Sequence, residues 1–193
     1  MVAETAYILG MDSTPRWRRL GLVPLSALLL ISCVGAAEGP LDQDSDVGEV
    51  CAPVAEDGTL TFGLETLENS ASDGALIEAV ALTDSEHISI LGARIVRIDG
   101  GQTGGTLVGI VSGYPPEASV AWADSVDAGG AQIPPAADTD DVFNLVVGLQ
   151  LDEGATVGTA SSLEISYSVG GAAYLLRTSN MIELRRGPCP TGS

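Results

Sequence analysis

Two adjacent glycines constrain this chain more than any other feature. Leu163, Ile165, Tyr167 and Val169 alternate with Glu164, Ser166 and Ser168, and then Gly170-Gly171 interrupts the pattern. Period-two alternation marks a strand with one buried face. A two-residue hairpin turn of the common type needs positive φ at both central positions, which glycine adopts without steric cost. Taking the glycines as the turn sets a register: Val169 faces Ala172, Tyr167 faces Tyr174 and Ile165 faces Leu176. Each pair falls on the apolar face, so turn chemistry and alternation agree.

The same periodicity recurs upstream. Phe143, Leu145, Val147, Leu149 and Leu151 alternate with Asn144, Val146, Gly148, Gln150 and Asp152, and Leu60, Phe62 and Leu64 alternate with Thr61, Gly63 and Glu65. Ile88 to Ile98 reads as a strand with a bulge at Gly92, where the apolar phase breaks. Thr106 to Val111, Ala118 to Ala123 and Met181 to Leu184 read as further short strands. Leu76 to Leu82 is apolar but fits either a strand or one to two helical turns. Turn material lies at Asn69 to Gly74, with longer loops over Asp99 to Gly105 and Asp124 to Asp141. Short strands at this spacing, with no long amphipathic helix, predict an all-β sandwich of about seven to nine antiparallel strands.

Phe62 to Asn69, the turn after it, Val80 and Leu82, and the terminal hairpin together resemble the immunoglobulin-like domains of bacterial secreted proteins. The resemblance covers most of residues 58–185. It departs from antibody domains in its cysteines, which stand at the domain ends. The whole chain resembles small lipoproteins of high-GC Gram-positive bacteria, which implies a location and a fold but no activity.

The location has its own signal. Arg16-Trp17-Arg18-Arg19 precedes an apolar run from Leu20 to Ile31 and then Ser32-Cys33. A run of about a dozen residues is too short to span a bilayer, which takes roughly 20. Basic residues followed by such a run form an export signal over residues 1–32. Met11 offers a second start with a shorter basic region. Arg18-Arg19 matches a twin-arginine signal in part, but Gly21 departs from it. Leu30-Ile31-Ser32-Cys33 resembles the bacterial lipobox, which implies lipidation of Cys33 and anchoring to the cell membrane; cleavage near Ala36 or Ala37, giving a secreted protein, is the rival. Residues 33–50 then read as a disordered acidic tether and 51–190 as the domain.

Charge narrows the partners. The net charge is −18. The chain has no lysine, and Arg16, Arg18 and Arg19 are its only basic residues before Cys33, leaving five arginines against 24 carboxylates after it. Nucleic acid needs a basic surface and is excluded as a partner. With Cys33 lipidated, Cys51 and Cys189 remain, and in an oxidising compartment they are expected to pair.

Chemistry is sparse. His87 is the one histidine and no Gly-x-Ser-x-Gly elbow accompanies it, so it reads as a strand-entry residue. Gly100 to Gly105 lacks the lysine and helix of a phosphate loop. Asp138, Asp140 and Asp141 could offer oxygens to calcium but fit a solvated loop end better. No cofactor is expected, and the chain reads as a non-enzyme. Tyr114, Pro115, Pro116 and Trp122 form the candidate interaction patch, because Tyr and Trp anchor interfaces. For Trp122 the strand-like setting favours the core instead. The expected function is display of a binding domain at the cell envelope. The alternatives are a calcium-dependent or hydrolytic module and a structural subunit of a surface assembly.

Overall fold

The computed structural model describes residues 39–43, 48–100, 108–116 and 120–190. The export signal, Cys33 and most of the glycine-rich loop lie outside the described residues.

The chain is an all-β sandwich. In order it forms β1 (Leu41–Gln43), β2 (Gly48–Pro53), β3 (Thr59–Asn69), β4 (Ala75–Thr83), β5 (Ile88–Ile98), β6 (Gly109–Ser112), a helical turn α1 (Val120–Ala123), β7 (Val126–Asp127), β8 (Gln132–Ile133), a 3-10 turn (Ala136–Asp138), β9 (Val142–Leu151), β10 (Val157–Ala160), β11 (Ser162–Val169), β12 (Ala172–Arg177) and β13 (Asn180–Arg185). The strands beyond the expected seven to nine are short additions to sheet margins: β1, β6, β7 and β8 have two to four residues each.

One sheet runs β1-β3-β9-β5-β7, with β6 also on β3; a second runs β12-β11-β4-β8; a third runs β10-β13-β2. Among the described residues every strand pairing is antiparallel except that of β2 with β13. Phe62, Leu145 and Leu149 from the first sheet, Ile77, Ile165 and Tyr167 from the second, and Ile182 and Leu184 from the third meet in one buried core. This is the alternation of the sequence made physical, since period two sends every second side chain to the same face.

The terminal hairpin has the expected register, Val169 to Ala172, Tyr167 to Tyr174 and Ile165 to Leu176. Gly170 and Gly171 both take positive φ, 58° and 84°. Gly92 does mark a bulge, with the β5–β9 register shifting between Ile90 and Gly92. Leu76 to Leu82 is strand, within β4. Cys51 and Cys189 form a disulfide across 138 residues, with Cα atoms 5.9 Å apart.

Two expectations need correction. The tether predicted over residues 33–50 is not disordered throughout, because β1 and the start of β2 lie within it. Leu41 is buried in the core. The Gln43 amide accepts from the Ser179 hydroxyl at 2.7 Å and donates to the buried Glu65 carboxylate at 3.1 Å. Asn180 Nδ2 donates to the same carboxylate at 3.0 Å. A buried carboxylate is costly unless hydrogen-bonded, so this requirement draws β1 onto the fold, while Asp42 and Glu49 stay exposed. Second, the strand predicted over Ala118 to Ala123 contains the helical turn α1. Ser125 closes that turn, its amide and hydroxyl both donating to the Trp122 carbonyl at 3.2 and 2.7 Å.

Candidate interaction surface

The outward face of β9 carries a second, smaller layer of packing. Its inward residues fill the core, yet Asn144, Val146 and Gly148 on the other face are also fully buried. Val108, Tyr114 and Trp122 cover them. Asn144 holds this cover in place: Nδ2 donates to the carbonyls of Gly63 and Glu65 (3.1 and 2.9 Å), and Oδ1 accepts from the Val108 amide (3.0 Å). Those carbonyls flank the register shift in β3 between Phe62 and Glu65, so the Asn144 side chain satisfies backbone groups that the bulge would leave unpaired.

Beside it, Gly92 of β5 and Gly148 of β9 are cross-strand partners. Tyr114 lies over both. A Cβ on Gly148 would fall 2.5 Å from the Tyr114 ring, and one on Gly92 would fall 2.8 Å from its hydroxyl. The glycine pair is a flat seat for the ring. An aromatic laid over a strand glycine restores the packing that the glycine lacks.

Trp122 meets Tyr114 edge to face, with centroids 5.8 Å apart. It packs with Val108 against Val96, Ile98 and Val146. The expectation that Trp122 belongs to the main core is therefore corrected: it is half-buried in a separate small cluster on the outer face of the first sheet. The Arg94 guanidinium lies 5.5 Å from its ring centroid, within cation–π range. Arg94 is itself fixed by Ser125 Oγ (2.6 Å), the Ser125 carbonyl (2.5 Å) and Asp127 (2.7 Å). Burial raises the Tyr114 phenol above its ordinary value of 10.0; the Arg94 charge opposes this and Asp127 adds to it. Pro115 is exposed and Pro116 buried. Tyr114 and Trp122 thus come together, although about eight residues separate them in sequence. Arg94, Ser125 and Asp127 escaped the sequence reading. The available signal was the apolar Val146 and Gly148 on the supposedly solvent-facing side of β9.

The acidic loop behaves differently. Asp141 pairs with Arg97 at 2.5 Å, and its side chain is only 12% exposed. Partial burial pushes the Asp141 carboxyl up, but hydrogen bonds from Thr139 and Arg97, the Arg97 charge and the Gly100 amide outweigh it and hold the group below its usual 3.8. Asp138 and Asp140 are exposed. Among the described residues no three His, Cys, Asp or Glu side chains are grouped to hold a metal ion, these three included. His87 sits at positive φ, 57°. Its Nδ1 is 3.5 Å from Asp152, and its side chain is 65% exposed.

No helix among the described residues is long and apolar enough to cross a membrane. No protein-family model matches the chain, and no curated protein sequence matches it. Among solved structures, PapD-like domain 7 of human CEP192 superposes with a TM-score of 0.36 at 11% identity, over 94% of this chain and 99% of that one. The Vibrio cholerae protease VesB gives 0.34 at 10% identity, over 76% of this chain and 32% of the protease. ACE19, the collagen-binding subdomain of the Enterococcus faecalis surface protein ACE, gives 0.33 at 7% identity, over 77% and 97%. At these scores and identities no activity, partner or ligand carries over to this chain.

Proposed function

We propose that this chain is a non-catalytic binding domain displayed outside the cell membrane, anchored through lipid on Cys33, with the Tyr114–Trp122 surface as its contact face. The Cys51–Cys189 disulfide supports the compartment, since such bonds persist in oxidising surroundings. It also carries the anchoring argument: two of the three cysteines are used by the fold, and Cys33 is the third. A diacylglyceryl group holds a protein to a bilayer because each buried methylene contributes about 0.8 kcal/mol. The contact face rests on Trp122, an amphipathic ring half-buried on a rigid support, the kind of residue that dominates interface energies. Contacts with Tyr114 and Arg94 that already hold the ring lower the ordering cost on binding.

Fractionation of cells expressing the full chain tests this reading. Wild type is expected in the membrane fraction, and Cys33→Ala in the soluble extracytoplasmic fraction or the medium. The same distribution for both would contradict lipid anchoring.

A further inference from the structure

The described arginines show what this molecule lacks. Arg94 is bound to Asp127, Arg97 to Asp141, Arg177 to Glu164 and Arg185 to Glu183. Arg186 donates to the Ala155 and Glu56 carbonyls. Every positive charge in the described fold is therefore already engaged, against a net charge of −18. A partner that gains electrostatically must bring the positive charge itself.

One groove suits such a partner. It opens between the margins of two sheets, where β7 and β5 of the first face β8 and the following loop of the second, and its volume is about 720 Å³. Ile95, Phe143, Pro134 and Val126 line it. Ile95 and Phe143 are core residues whose sides show at its floor, and Val126 is 53% exposed, the most exposed large apolar residue described. Asp124 and Asp138 stand at the rim, both exposed. Arg97, the one cation among the described residues that line it, is held by Asp141. β7 and β8 are each the last strand of their sheet.

We infer that this groove takes a cationic, apolar peptide segment of another protein: an extended stretch that seats an aliphatic side chain on Ile95, Phe143 and Val126 and sets flanking lysine or arginine against Asp124 and Asp138. Val126, the exposed apolar residue of the groove, loses water on contact, a favourable term. The carboxylates select the sign of the flanking charge and reject acidic segments. The lining of this groove includes neither Tyr114 nor Trp122, and it does not depend on whether Cys33 carries lipid.

The test uses the purified full chain and three fluorescein-labelled peptides, Lys-Leu-Lys-Val-Lys, Lys-Ser-Lys-Ser-Lys and Glu-Leu-Glu-Val-Glu, read by anisotropy. The first is expected to bind, and the second and third to bind at least about tenfold more weakly. Asp124→Asn with Asp138→Asn should weaken the first peptide by about tenfold. Glu56→Gln with Glu153→Gln removes the same charge near the other end of β9 and should change binding less than about twofold. Val126→Ser should weaken the aliphatic peptide and leave the serine peptide unchanged. No binding of the aliphatic cationic peptide, equal affinity for the serine peptide, or equal losses in the two double variants would each overturn the inference, the last by showing diffuse attraction to an acidic surface.

Discussion

Gly148 carries a structural demand that its position on an alternating strand does not announce. Its missing Cβ leaves the space that the Tyr114 ring occupies. Gly148→Ala must move the ring or the strand, and overpacking of this kind costs about 1–3 kcal/mol. Urea unfolding of the variant should show that loss, with a wild-type slope. A variant as stable as wild type would mean that Tyr114 is not seated as described. Asp141 makes a pH-dependent contribution. Its carboxyl is held below 3.8 in the folded chain, so the ionised group stabilises the fold above that value. The contribution is lost as pH falls through the lowered folded value. Asp141→Asn should lower the melting temperature at pH 7, and the gap to wild type should narrow as pH falls below 3.8. A difference that stays constant from pH 7 to 2 would contradict the ionic role of Asp141.

Among the elements, the β11–β12 hairpin was the most legible, because two independent signals fixed the same register. The bulge at Gly92 was legible for a related reason: a glycine at a break in apolar phase has few other uses. α1 was not legible. Val120-Ala121-Trp122-Ala123 carries strand-like residues, and only the Ser125 cap and the packing of Trp122 on Val96, Ile98 and Val146 turn it into a helical turn. β1 was hidden in the same way. Asp42 suggests a repelling acidic tether, while Leu41 and Gln43 act through a buried core and the buried Glu65, both distant in sequence. Asn144 tests the element-level account of the cover. Asn144→Leu leaves the Gly63 and Glu65 carbonyls and the Val108 amide without this partner. Leaving buried polar groups unpaired costs about 1–3 kcal/mol each. The variant is expected to expose the face of β9, read as faster hydrogen exchange over residues 108–116 and 122–125 with β11 and β12 unchanged. Unchanged exchange over 108–116 and 122–125 would remove Asn144 as the fastener.

At the scale of the whole molecule, the disulfide joins β2 to the segment that follows β13. On the chain-entropy model a loop of 138 residues corresponds to about 5 kcal/mol of stabilisation, an upper figure. Cys51→Ser with Cys189→Ser should therefore lower the melting temperature by many degrees while keeping the far-ultraviolet β signature. A shift of less than about 2 °C would show that the sheets alone set the stability. The acidic surface was legible from composition. Its engagement of Arg94, Arg97 and Arg177 was not, because those pairs join residues that the fold brings together, as with Arg97 and Asp141.

The central claim is a lipid-anchored, disulfide-closed domain, and intact mass of the membrane-extracted protein tests it most directly. The account predicts a chain that begins at Cys33, carries the added mass of a diacylglyceryl group with a further acyl chain, and lacks two hydrogens for the Cys51–Cys189 bond. A chain that begins near Ala37 or retains an unmodified Cys33, or one with free thiols at Cys51 and Cys189, would contradict it.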